Sequence, residues 1–136
     1  MNELTIAATV ENIDVVTDFV NEQLETVDCP MKVQMQIDIA IDELFGNIAK
    51  YAYKPEVGQA TVRVEMTEDE LAVIITFIDN GVPFDPLKKK DPDITFSAQE
   101  REIGGLGIYM VKKNMDDVSY EYKDGQNILS IKKKIK

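Results

Sequence analysis

From Leu71 to Asp79 the chain reads LAVIITFID, and no other stretch limits the fold as much. β-Branched and aromatic residues dominate it, and apolar side chains fall on both of the faces that a strand's two-residue period creates. A strand of this kind belongs in the middle of a sheet. The run before it, ATVRVEM, is β-rich as well, and the polar TEDE between the two predicts an antiparallel hairpin. The central strand ends on Asp79, and a carboxylate at the end of an apolar strand needs a partner, because an unpaired buried charge is costly.

Around this hairpin the apolar periodicity alternates between strand and helix. LTIAAT, Leu4 to Thr9, predicts a strand, and ENIDVVTDFVNEQLET a helix that buries Ile13, Val16, Val20 and Leu24. Asp28 and Pro30 can start a second helix, since proline has the φ of a first turn, and its apolar period runs to Tyr53 before Lys54-Pro55 stops it. IYMVKKNM has helical spacing at Ile108, Val111 and Met115, and VSYEYK and NILSIKK predict a closing hairpin about Asp124-Gly125. The lysine runs 88–90 and 132–134 read as solvated, the second as the charged end of an edge strand. With 136 residues and 44% hydrophobic content, one domain with one core is expected.

The second helix poses a question of its own. Ile37, Ile41, Leu44, Phe45, Ile48 and Ala52 fall on its core side, while Glu43, Gly46, Asn47 and Lys50 form a narrow stripe on the other. An interior glycine costs about 0.5–1 kcal/mol relative to alanine. Read alone, the stripe is a solvated face; read with Gly46, it is a surface that something approaches closely.

Composition removes several functions. The formal charge of −10 opposes binding to a phosphate backbone, so nucleic acid is not an expected direct partner. No histidine is present, which excludes histidine catalysis, histidine metal ligation and histidine phosphorylation in this chain. The one cysteine, Cys29, cannot form an intramolecular disulfide and reads as an indifferent thiol. The start shows no signal-peptide pattern, and LAVIITFI is too short to span a bilayer. A cytoplasmic protein without a membrane partner is the expectation.

Two further stretches carry chemistry. DNGVPFD, Asp79 to Asp85, reads by itself first as a turn, with a place where Asp79 accepts from the exocyclic amine of adenine as the alternative. GGLG, Gly104 to Gly107, reads as a flexible helix entry, and equally as a cradle in which backbone N–H groups and the helix dipole receive phosphate. The irregular segment between them is long enough to suggest a functional loop.

ELFGN on a helix, DNGVPFD after a strand and GGLG opening a helix, in this order and spacing, resemble the N, G1 and G2 boxes of the GHKL ATPases of gyrase, heat-shock chaperone, histidine-kinase and MutL type. Within that superfamily AIDELFGNIAKYAY and the short chain are most similar to the bacterial anti-sigma factors that are also serine-protein kinases. The resemblance implies a two-layer α/β sandwich, with a mixed, mostly antiparallel sheet and helices on one face. It covers nearly all of residues 1–136 and implies a single ATP-binding kinase domain, with a lid at about 86–103.

Carried over residue by residue, the resemblance implies ATP and Mg²⁺ as cofactors. Asn47 would ligate the Mg²⁺ and Glu43 would act as general base. Asp79 would accept from adenine, with Gly81 allowing close approach. Lys50 would stand on the wall of the pocket, and Gly104, Gly105, Leu106 and Gly107 would line the phosphates. Arg101 would reach toward the γ-phosphate, although it lies farther from the glycines than the pattern suggests. On this reading a side chain at position 46 would project beside the phosphates or the lid. Pro83 stands where a DxGxG box has its second glycine, a departure that bears on lid flexibility.

The function so implied is an ATP-dependent serine-protein kinase that phosphorylates an anti-anti-sigma antagonist and sequesters a sigma factor, with a homodimer as one option. Two rivals stand beside it: a non-catalytic nucleotide-binding partner switch, and a detached ATPase module.

Overall fold

The computed structural model describes residues 2–54, 56–68, 71–88 and 105–135. Strand β1 (Asn2–Ala7) leads through a short 3₁₀ turn into helix α1 (Ile13–Glu25), and α2 (Met31–Asn47) is prolonged by a π turn over Ile48–Ala52. The hairpin of β2 (Gln59–Thr67) and β3 (Ala72–Asp79) follows, then a 3₁₀ turn at Pro86–Lys88, α3 (Gly105–Asn114), and the closing hairpin of β4 (Asp117–Lys123) and β5 (Gln126–Lys134). Apart from residues 86–88, the lid expected at 86–103 lies outside the described residues.

The strands form one sheet in the order β1-β2-β3-β5-β4. All four pairings are antiparallel, the limiting case of the mostly antiparallel sheet expected. LAVIITFID supplies the central strand, as its two apolar faces require. The closing hairpin inserts β5 rather than β4 next to β3, which corrects the reading of residues 132–134. Those lysines end an interior strand, paired with β3 on one side, and the edge is β4. Lys133 turns its ammonium to the carbonyl of Asn114 at 2.6 Å, where it meets the negative C-terminal end of α3.

Register places the inner face. Val62, Phe77 and Leu129 line up across three strands, as do Val64, Ile75 and Ile131, and then Ala60, Asp79 and Asn127. The first two rows are apolar and join Val16, Val20 and Leu24 of α1, Ile37, Ile41, Leu44 and Phe45 of α2, and Ile108 and Val111 of α3 in one core. The third row carries two polar residues at the rim of that core. On the outer face hydroxyl pairs run between strands, Thr5 with Thr61 at 2.9 Å and Thr76 with Ser130 at 3.1 Å.

Two local features follow from backbone chemistry. The β4–β5 turn has positive φ at both Asp124 (53°) and Gly125 (78°), the arrangement that matches the twist of a two-residue hairpin. Gly46 is buried, and a Cβ there would meet only the Cδ1 of Ile13, at 3.8 Å. The room left by this glycine therefore lies against α1, not over Glu43 and Asn47, which corrects the expectation that position 46 projects toward a ligand.

Candidate functional site

Where β3 ends, a cavity of about 140 Å³ opens between the sheet and the C-terminal turns of α2. Leu44 and Ile48 from the helix and Phe77 and Leu129 from the sheet make its apolar floor. The loop after β3 contributes Val82, Pro83 and Phe84, and Tyr51 and Tyr120 supply aromatic surface. Three polar side chains reach this space: Asp79, Asn127 and, from α2, Asn47.

Asp79 is 5% exposed and Asn127 6% exposed, and they are the two polar residues buried in the structure among the described residues. They face each other across β3 and β5, and the Asn127 amide donates to Asp79 Oδ1 at 2.9 Å. Gly81 N–H donates to the same oxygen at 2.8 Å. The pairing answers the demand that the sequence made for a partner to Asp79. It also identifies a residue that sequence reasoning missed. Asn127 Nδ2 donates further to the carbonyl of Val82 at 2.9 Å, and its Oδ1 accepts from Phe84 N–H at 3.1 Å and from the Tyr120 hydroxyl. The available signal was that Asn127 shares the inward alternation of Leu129 and Ile131, so a polar side chain there must be buried. Burial pushes the Tyr120 phenol above its ordinary value, which keeps it a donor to Asn127.

The loop is also tied to the helix end. Val82 N–H donates to the carbonyl of Ala52 at 3.0 Å. Gly81 lies so close that a Cβ would fall 2.6 Å from the Ala52 carbonyl carbon, and nearer still to its oxygen. Only a residue without a side chain lets the two backbones meet in this way. The π turn makes the contact available, because the widened turn at Ile48–Ala52 releases carbonyls from the α-helical ladder. Tyr53 completes the junction, its hydroxyl accepting from Asn80 N–H at 2.8 Å and donating to the carbonyl of Gln59 at 2.6 Å. Burial raises the Tyr53 pKa, against the opposing effect of the Asn80 N–H.

Glu43 and Asn47 stand one turn apart on α2, and Asn47 Nδ2 donates to Glu43 Oε1 at 3.3 Å. With its nitrogen so engaged, Asn47 retains its amide oxygen, a suitable ligand for a hard cation that keeps several waters. Gly107, in the first turn of α3, sits against the Glu43 carboxylate. Lys50 is exposed and falls within the π turn rather than on the cavity wall. Gly105 opens α3, and Leu106 follows it on the same turn. Arg101 and Gly104 lie outside the described residues. The structure thus gathers Asp79 and Asn47 at the cavity, sets Gly81 beside Asp79 against the Ala52 backbone, and sets Glu43 with Asn47 and Gly107.

An antiparallel sheet layered with three helices, with a cavity between helix end and strand end, defines a two-layer α/β sandwich as the class. Residues 6–133 match the model of the histidine kinase-like ATPase domain, and the chain belongs to that family. Among curated relatives it is 37% identical over 98 residues to a protein named serine-protein kinase RsbW from Bacillus cereus, covering 69% of this chain and 60% of that one. The protein of the same name from Listeria monocytogenes is 35% identical over 101 residues, covering 71% and 63%. The aligned region thus spans about three-fifths of the length of these relatives. The RsbU and RsbW domains of Rv1364c from Mycobacterium tuberculosis superpose on 99% of this chain and 33% of that one, with a TM-score of 0.66 at 16% identity. The histidine kinase domain of the blue-light activated kinase from Erythrobacter litoralis superposes on 78% of this chain and 46% of that one, with a TM-score of 0.53 at 14% identity. At such identities the two superpositions speak for the fold. Among the described residues no helix is long and apolar enough to cross a membrane.

Proposed function

We propose that the protein is an ATP- and Mg²⁺-dependent serine-protein kinase of the anti-sigma type, acting in the cytoplasm on a small anti-anti-sigma antagonist and holding a sigma factor when that antagonist is absent. The observation that carries the reading is the buried Asp79 carboxylate at the inner end of an apolar cavity, with the Glu43–Asn47 pair on the neighbouring helix. The donor set fits the cofactor. Both bonds given to Asp79 fall on Oδ1, so its second oxygen suits the exocyclic amine of a purine. The walls are apolar and aromatic, as a base requires, and the described cavity is of the size of a base rather than a whole nucleotide.

When bound, Mg²⁺–ATP supplies the phosphoryl group. The chain's own residues do the rest by position, which is the main source of rate in phosphoryl transfer. Asp79 and Asn127 fix the base in orientation. Asn47 would hold the cation through its amide oxygen, and Glu43 would take the proton of the attacking serine hydroxyl. The backbone of Gly105 to Gly107, at the positive end of α3, would receive the phosphates, and Gly104 and Arg101 are assigned to them from the sequence alone. The relatives named serine-protein kinase support this direction.

Incubation with labelled ATP, Mg²⁺ and the antagonist encoded nearby tests the proposal. Label is expected on one serine or threonine of the antagonist, which then no longer displaces the sigma factor. Glu43→Ala is expected to retain Mg²⁺–nucleotide affinity and lose roughly 10²–10⁴-fold in transfer rate, the usual worth of a positioned base. Asn47→Ala should lose both. Nucleotide-dependent partner exchange without transfer would leave a switch and remove the kinase.

A further inference from the structure

The contact between α2 and the start of α3 points to a second duty for a glycine whose role by family resemblance is toward phosphate. A Cβ built on Gly107 would lie 2.7 Å from Glu43 Oε1, and closer still to the carboxyl carbon and Oε2. No side chain larger than hydrogen can occupy position 107 while Glu43 keeps this conformation. Gly107 has no positive φ to explain it, and it stands in the first turn of a regular helix, where alanine has the higher helix propensity. What the missing side chain provides is a seat for the Glu43 carboxylate.

We propose that Gly107 is a positioning residue for Glu43. The carboxylate is held on two sides, by the Asn47 amide at 3.3 Å along α2 and by the bare backbone of Gly107 on α3. These contacts help to place a side chain with three rotatable bonds between the two helices, and a base delivers its rate only when it is so placed. The seat also couples the base to α3, so a shift of the first turn of that helix moves the base directly. This inference rests on the reading of Glu43 as the base. It separates two properties of Gly107, since alanine retains the backbone N–H that a phosphate would use and removes only the seat.

Because the atoms that an added methyl would meet are the far end of a flexible side chain, Gly107→Ala should fold, with Glu43 displaced. In the nucleotide-free protein, nuclear Overhauser contacts between the Glu43 γ-protons and the Gly107 α-protons are expected, and the Glu43 side-chain signals should shift in Gly107→Ala. Their absence in the parent would overturn the seat whatever the protein catalyses. In the transfer assay Gly107→Ala should lose 10-fold or more in kcat, with Mg²⁺–ADP affinity within about threefold of the parent. Its defect should not add to that of Glu43→Ala, since the two act through one carboxylate. Glu43→Asp, one methylene shorter, should partly restore Gly107→Ala. A parental rate in Gly107→Ala, a loss of ADP affinity as large as the loss of rate, or a defect that adds to Glu43→Ala would each refute the proposal. If the contacts are present but Glu43→Ala transfers at the parental rate, the base assignment fails and the seat remains as a packing contact only.

Discussion

The carboxamide of Asn127 holds Asp79, Val82, Phe84 and Tyr120 at once. It is therefore the residue on which the geometry of the cavity most depends. Asn127→Ala would leave Phe84 N–H and the Val82 carbonyl without a protein partner and Asp79 with one bond fewer. A loss of roughly 1–3 kcal/mol is expected, the penalty for a buried polar group that loses its partner, since Asp79 is buried while Val82 and Phe84 are exposed to water, read as a lower urea midpoint with an unchanged m value. The nucleotide-induced rise in melting temperature should vanish with it. A variant that keeps both would show that water replaces the amide and that Asn127 positions nothing. Gly46 gives the opposite expectation. An added methyl meets Ile13 Cδ1 in ordinary van der Waals contact, so Gly46→Ala should raise stability by up to about 1 kcal/mol through helix propensity, with nucleotide affinity unchanged. A fall in affinity would restore position 46 to the ligand site.

At the scale of elements, the seam between α1 and α2 is polar on its outer side. Asp38 accepts from Asn21 at 3.1 Å, and Gln34 donates to Asn21 Oδ1 at 3.3 Å. Burial raises the Asp38 pKa, the Asn21 bond opposes this, and the neighbouring Asp18 raises it further. A carboxyl whose folded pKa lies above its unfolded value favours the folded state while protonated and costs stability once ionised. The contribution is present below the unfolded pKa and is lost as pH rises through the folded one. Asp38→Asn keeps an oxygen for Asn21 and removes the charge. Its melting temperature should exceed the parent's at neutral pH and converge with it in acid, a modest difference because the side chain is only partly buried. Equal curves at both pH values would show that solvent screens the seam completely. The π turn at the end of α2 is the other element-scale feature, since it offers the Ala52 carbonyl to Val82 and thereby places the loop over the cavity.

For the whole molecule, a ligand that binds only the native state must stabilise it. At one hundred times its dissociation constant, Mg²⁺–ATP should add about 2.7 kcal/mol, a rise in melting temperature of roughly 10 °C for a domain of this size. Asp79→Asn should remain folded and lose most of the rise. No rise in the parent at millimolar nucleotide would remove the whole reading. The net charge of −10 acts at this scale as well: it suits a partner with a basic surface, and association with the proposed sigma factor should slow steeply as salt is added.

Local chemistry determined much of this protein in advance. The two-faced apolar run had to be a central strand, the hairpin turn at Asp124-Gly125 had to form, and Pro30 had to open α2, because each depends on neighbours within a few residues. Asp79 was marked as needing a partner for the same reason, since its environment follows from the strand it ends. What the sequence could not show is which distant groups meet. The insertion of β5 beside β3 made Asn127 the partner of Asp79 and moved residues 132–134 from the edge to the interior. The packing of α1 on α2 turned Gly46 to Ile13, and the approach of α3 set Gly107 on Glu43. Periodicity reports the face on which a side chain lies, whereas the tertiary arrangement alone decides what stands opposite it, because contacts between elements depend on register and topology that no local pattern encodes.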